Sequence, residues 1–205
     1  MLSTTACSES GGDGPTTHTS GYEPRVGDVL FQSARPSKLV DMIEGVSESP
    51  YSHCGIVDRV DGEWVVYEAI TNVSATPLDD FISRGRGGGV AVYRFREPYR
   101  DDIPEIIENT RSFLDRPYDF RYRLDDEHIY CSELIYKAFG AVTGEALGEL
   151  DALGDLNWRP YEADIKELEK GPVPLEREMI TPRGLAEAEQ LELVWKRGIG
   201  SPARQ

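Results

Sequence analysis

Two largely apolar runs, Ser52 to Val60 and Glu63 to Ile70, are joined by Asp61-Gly62 and nothing else. A two-residue Asp-Gly connection suits the tight turn whose twist matches that of its flanking strands, so the runs predict an antiparallel hairpin. The turn also fixes the register. Val60 faces Glu63, Gly55 faces Glu68, and His53 faces Ile70. Strand side chains alternate between faces, which puts His53, Gly55 and Glu68 together and sends Cys54, beside Ala69, to the other side as a core residue. His53 and Glu68 become diagonal neighbours, roughly 7 Å apart at the backbone. Gly55 leaves room between them. A one-residue slip would carry Glu68 to the opposite face.

The remaining elements are read around this hairpin. Gly27 to Gln32 predicts a short strand. Ser37 predicts the cap of a helix through Glu44, with Leu39, Val40 and Ile43 on one face. Thr76 is read as the cap and Pro77 as the first residue of a short helix, which Gly87-Gly88-Gly89 breaks before a strand at Val90 to Phe95. Asp101 to Leu114 is amphipathic, and Pro117-Tyr118-Asp119 follows in a turn. Gly144 to Trp158 is loop-like, and Tyr161 to Glu169 and Pro182 to Leu193 predict short surface helices. There is no βαβ rhythm, so the fold class is α+β: an antiparallel sheet packed against helices. One domain is expected over residues 23–197. Residues 1–22, rich in Ser, Thr and Gly, read as a disordered leader, and 198–205 as a frayed tail.

Tyr130-Cys131-Ser132-Glu133-Leu134 carries the reactive candidate. Leu134, Ile135, Ala138, Phe139 and Val142 recur at helical spacing, which puts Cys131 in the first turn of a helix. Unpaired backbone N–H groups and the positive end of the helix dipole lower a thiol's pKa there. The bland alternative is a small buried hydrophobe. A cysteine nucleophile is usually served by a histidine base. His18 lies in the leader and His128 in a charged loop, whereas His53 shares a strand face with Glu68, an acid able to orient it. An edge-strand glutamate facing water is the alternative for Glu68.

The net charge of −15 argues against nucleic acid and against electrostatic attachment to an anionic membrane surface. It fits a solvated acidic surface, or a preference for cationic substrates. Three cysteines without framework spacing speak against a disulfide scaffold, and the lack of CxxC or HxxxH patterns speaks against structural zinc. No apolar run is long enough for a transmembrane helix. Thr4-Thr5-Ala6-Cys7, with the polar stretch after it, resembles the end of a lipoprotein signal, although Thr4 stands where Leu is expected. A signal upstream of Met1 would place the chain in the cell envelope, tethered through a lipidated Cys7. Without one the expectation is cytoplasmic.

Gly27-Asp28-Val29-Leu30-Phe31-Gln32, Ser52-His53-Cys54-Gly55-Ile56-Val57, Tyr67-Glu68-Ala69, Thr76-Pro77-Leu78 and the Cys131 segment together resemble the circularly permuted branch of the NlpC/P60 papain-like cysteine hydrolases. The resemblance is to the YiiX/YebB/YaeF group, a distant relation of lecithin–retinol acyltransferase. It spans Pro24 to Leu193. Pro117-Tyr118-Asp119 resembles the family's tyrosine-containing turn, and Ile180-Thr181-Pro182 a late Thr-Pro motif. Cys54 departs from the apolar residue expected after the histidine. The resemblance implies a papain-like fold and a cysteine hydrolase with Cys131 as nucleophile, His53 as base and Glu68 as its orienting acid. Tyr118 and Gln32 are side-chain candidates for binding the oxyanion or substrate, beside the backbone N–H of Cys131. No cofactor and no metal are implied. The expected substrate is a small peptide or acyl amide, with cell-wall peptides the leading class. A lipid-directed amidase or acyltransferase is the second reading, and a non-catalytic lipid- or peptide-binding module the third.

Overall fold

The structure is a computed structural model, and it describes residues 21–200; residues 1–20 of the expected leader, with the Cys7 tether, lie outside the described residues, whereas Tyr22, expected to end the leader, is buried and its hydroxyl donates to Asp28 at 2.7 Å. Strands β1 (Val29–Gln32), β2 (His53–Val60), β3 (Glu63–Ala69), β4 (Val73–Pro77), β5 (Val90–Phe95) and β8 (Leu191–Arg197) form one sheet in the order β4-β3-β2-β1-β5-β8. Every neighbouring pair is antiparallel. Two-residue strands β6 (Asp151–Ala152) and β7 (Glu178–Met179) pair separately. The helices are α1 (Lys38–Val46), α2 (Leu78–Arg84), α3 (Ile103–Arg111), α4 (Cys131–Thr143), α5 (Glu162–Glu169) and α6 (Pro182–Ala186). This is the α+β class expected, with no parallel crossover in the sheet.

The hairpin turn sets the frame. Asp61 and Gly62 both have positive φ, at 51° and 88°, as a tight hairpin connection of this twist requires. Val60 pairs with Glu63 and Ile56 with Tyr67, the register predicted from the turn. One face of the sheet carries Phe31, Cys54, Ile56, Tyr67 and Ala69 into a core shared with α3 and α4. The other carries Leu30, Val57 and Val66 onto Leu78, Phe81 and Ile82 of α2. Burying both faces of a sheet whose strands alternate large apolar residues is the main stabilising term of the fold.

Two elements differ from expectation. Thr76 is not a helix cap. It pairs with Val66 inside β4, and α2 starts one residue after Pro77, with no side-chain cap at its N-terminus. Available ladder bonds along β3 outweigh a local Thr-Pro signal. The helix expected over Pro182 to Leu193 is short: α6 ends at Ala186, and Leu191 onward becomes the edge strand β8 on β5. Thr181 does cap α6, its hydroxyl accepting from the Gly184 N–H at 2.9 Å. The cap on α1 is also as expected, with the Ser37 hydroxyl accepting from Val40 N–H at 3.2 Å.

Candidate active site

His53 and Glu68 meet through the hairpin. The imidazole Nε2 lies 2.6 Å from Glu68 Oε2, and the glutamate is fully buried. Gly55 makes the approach possible. A Cβ there would stand 2.4 Å from Val66 Cγ1, 2.9 Å from the Tyr67 carbonyl oxygen and 3.3 Å from Glu68 Cβ. Phe81 of α2 stacks on the imidazole with ring centroids 5.6 Å apart, holding the ring orientation from behind. Arg84, at the end of α2, donates to Glu68 Oε1. Burial pushes the Glu68 carboxyl up, but its bonds to His53, Thr76 and Arg84 outweigh burial and leave its pKa below the ordinary value.

Cys131 is the first residue of α4 and is buried. The helix start is fixed from several sides. Tyr130 N–H donates to Glu133 Oε2 at 3.1 Å, Ser132 Oγ donates to the Ile180 carbonyl at 2.8 Å, and Ile180 N–H donates to the Tyr130 hydroxyl at 3.0 Å. The late Thr-Pro segment therefore buttresses the thiol's helix. α4 packs on the Cys54 face of the sheet, whereas His53 points to the opposite face. They meet because each stands first in its element, at the end of the sheet.

Cys54 is the residue that reasoning from the sequence missed. It is buried, as expected, but turning away from Glu68 turns it toward Cys131. Hydrogen bonding from the Cys54 thiol, opposed by burial and reinforced by His53 and the Cys54 backbone N–H, holds the Cys131 thiol well below its ordinary pKa. The Cys54 thiol is itself driven up by burial and by Cys131. Burial pulls His53 down, yet Cys131 and Glu68 outweigh it and raise its pKa to about 9. The arrangement favours a thiolate and an imidazolium side by side at neutral pH. Departure of Cys54 from the apolar residue of the resembled motif was the available signal.

Tyr118 is nearly buried, and its hydroxyl donates to the Tyr122 hydroxyl at 3.3 Å. Burial and neighbouring groups, the Cys131 thiolate among them, raise the pKa of both phenols, so both stay protonated. Gln32 pairs with His53 across β1 and β2, and its buried Oε1 has no hydrogen-bond partner among the described residues. His128 stays apart in its loop, with Nδ1 3.9 Å from Asp125.

Two chambers flank this cluster. One touches Cys131 and is walled by Met42, Val46, Leu153, Leu156, Ile165 and Leu168, with about 670 Å³ of empty space, part of it open to solvent. The other touches His53, Gln32 and Tyr118. Ile43 and Ser52 line both.

A cysteine at the start of a helix laid on an antiparallel sheet, with the histidine strand earlier in the chain, defines a papain-like protein of circularly permuted order. The family model described as permuted papain-like amidase enzyme, YaeF/YiiX, C92 family, matches residues 23–195, and the chain belongs to that family. It is 30% identical over 178 residues to the uncharacterized protein YiiX of Escherichia coli (strain K12), covering 85% of this chain and 88% of that protein. It is also similar to the crystal structure of metalloprotein yiiX from Escherichia coli O157:H7, with a TM-score of 0.79 and 29% identity, over 86% of this chain and 99% of that one. Among the described residues of this chain, no three His, Cys, Asp or Glu side chains converge in a way that fits a metal ion.

Proposed function

We propose that the protein is a cysteine-dependent amidase that works through a thioester on Cys131, with His53 as proton carrier and Glu68 as its orienting acid. Membership of a permuted papain-like amidase family supports amide hydrolysis at the coarse level. The observation that carries the residue roles is the contact of Cys131 with a His53 held on Glu68 at 2.6 Å, with opposed shifts, Cys131 down and His53 up to about 9.

The chemistry follows from that pair. The Cys131 thiolate attacks the amide carbon and an S–C bond forms. The oxyanion is met by donors at the helix start, with the Cys131 N–H, the Tyr118 hydroxyl and the Gln32 side-chain amide as candidates. Collapse breaks the C–N bond, and the His53 imidazolium gives its proton to the departing amine. Neutral His53 then takes a proton from water as the oxygen attacks the thioester. The C–S bond breaks, the acid leaves, and the thiolate–imidazolium pair is restored. Glu68 keeps one imidazole nitrogen engaged so that the other faces sulfur.

The surface of the chamber at Cys131 is mostly apolar, although Arg121, Glu169, Arg177 and Thr181 also line it and Arg177 is paired with Glu169, and this favours an apolar acyl group over a cell-wall peptide with many amides to satisfy. This supports the lipid-directed reading for the acyl half.

The test is alkylation and acyl trapping. Cys131 is expected to react with iodoacetamide at pH 6 far faster than a free thiol, and His53→Ala to remove that advantage. Mass spectrometry should find the acyl group of an N-octanoyl amide on Cys131, and no adduct from cell-wall peptides. Reaction no faster than a free thiol, or a rate indifferent to His53→Ala, would overturn the amidase reading. Acylation by cell-wall peptides alone would overturn the apolar acyl assignment.

A further inference from the structure

The second chamber differs in charge from the rest of the molecule. The chain holds 37 Asp and Glu against 22 Lys and Arg. Yet this cavity, with about 1040 Å³ of empty space, part of it open to solvent, is lined by Arg35 and Arg84 together with His53, and by no carboxylate. Arg35 lies on the exposed loop after β1 and has no acidic partner among the described residues. Arg84 spends one nitrogen on Glu68 and donates Nε to the Asp80 carbonyl at 3.3 Å. Its Nη1 has no partner among the described residues. In a protein this acidic, a cation left unpaired beside a cavity is conspicuous, since acidic side chains to neutralise it are plentiful.

The reaction decides which half of a substrate lies here. An acyl carbon on Cys131 places its acyl chain in the apolar chamber. The departing nitrogen must face His53, which hands it a proton, and His53 lines only the second chamber. We propose that the second chamber receives the amine half of the substrate and that this half carries an anion, a carboxylate or a phosphate, bound by Arg35 and Arg84. The proposal rests on the amidase reading above. A fork of N–H donors on each guanidinium suits either oxyanion. The protein's overall negative field repels anions, so the two arginines also select for a leaving group that reaches them directly. The substrate class is then an N-acyl amide with an acidic amine: an N-acyl amino acid on one side, an N-acyl aminoalkyl phosphate on the other.

Three probes with one acyl chain separate these cases: N-octanoylglycine, N-octanoyl phosphoethanolamine and the neutral N-octanoylglycinamide. Amine release by the full-length protein gives kcat/KM for each. At least one anion is expected to exceed the neutral amide by about tenfold or more, with the advantage shrinking as salt rises. Arg35→Glu should reduce that preference at least about tenfold, the order expected for losing a charge-assisted contact. Arg59→Glu makes the same charge change at the hairpin tip and controls for net charge. The better anion identifies carboxylate or phosphate as the natural group. Equal turnover of all three probes, or a preference that Arg35→Glu and Arg59→Glu change alike, overturns the proposal while the amidase reading stands. Failure of every probe to acylate Cys131 overturns both.

Discussion

Glu68 and Glu133 are both fully buried, yet their environments drive them in opposite directions. Burial raises each. At Glu68, His53, Thr76 and Arg84 overcome it and keep the carboxylate ionised. At Glu133, bonds from Lys137 and the Tyr130 N–H fall short, and burial leaves the pKa near 7. Burial alone therefore does not set protonation; the number and charge of the donors do. One glutamate is a fixed anion held against a histidine. The other braces a helix start and sits near its titration point at neutral pH.

The largest test of this contrast exchanges each acid for its amide. Glu68→Gln should lower kcat/KM by about 10²–10⁴-fold, the range for losing the orienting acid of a triad. It should also lower the His53 pKa, so the alkaline fall in kcat/KM, which needs the imidazolium proton for the leaving amine, moves down from about 9. Glu133→Gln should change kcat/KM less than about threefold, because Gln can still accept from the Tyr130 N–H in the capping position. Equal losses in the two variants would erase the distinction.

Gly55→Ala changes no charge but forces β3 away from β2, because its Cβ would overlap Val66 and crowd Glu68. Thermal unfolding should show a loss of about 1–3 kcal/mol. The alkylation rate of Cys131 should fall with it, while the Glu133 titration stays in place.

Stability against pH reads the two acids separately. The folded protein holds a proton on Glu133 between the ordinary value of 4.5 and about 7, where the unfolded chain has released it. The contribution is full below that window and is lost as pH rises through it, by about 3 kcal/mol for a shift from 4.5 to about 7. Glu68 has the opposite sign: its contribution is present above the ordinary glutamate value and lost as pH falls through its lower folded pKa. Melting curves of wild type and Glu133→Gln at pH 5 and pH 7.5 should converge at the higher pH only if Glu133 behaves otherwise.

The smallest effect concerns the donor that Glu68 does not supply. Cys54→Val keeps the packing and removes the thiol facing Cys131. Alkylation of Cys131 at pH 6 should slow, because the thiol loses a hydrogen bond that holds its pKa down. An unchanged rate would leave His53 as the whole cause of the low thiol pKa.

Much of this was legible in local sequence. Asp61-Gly62 specified a register, and a register specifies faces, so the meeting of His53 with Glu68 and the core position of Cys54 followed from alternation alone. The start of α4 at Cys131 was legible from apolar spacing. β4 and β8 were not. Their strand character depends on β3 and β5 lying alongside, and Thr76-Pro77 and Pro182 carry equally good local helix signals. Arg84 was out of reach for the same reason: nothing in its own segment says that α2 ends at Glu68. The Cys54–Cys131 contact needed to know which face α4 covers, a tertiary fact that alternation leaves open.

The order of the chain gives the docking of α4 on β2 one more consequence. The hairpin and the thiol's helix are distant in sequence, and no local structure formed by either alone makes Cys131 unusually acidic beyond what a helix start provides. A chain with hairpin and helix both formed but apart would carry a thiol lowered by the helix start alone. Rapid alkylation of Cys131 thus reports the long-range closure itself, which is the slow, entropically costly event for contacts of this separation. During synthesis the strands bearing His53 and Glu68 emerge first and the thiol later, so the reactive pair comes into being only once the native topology has closed.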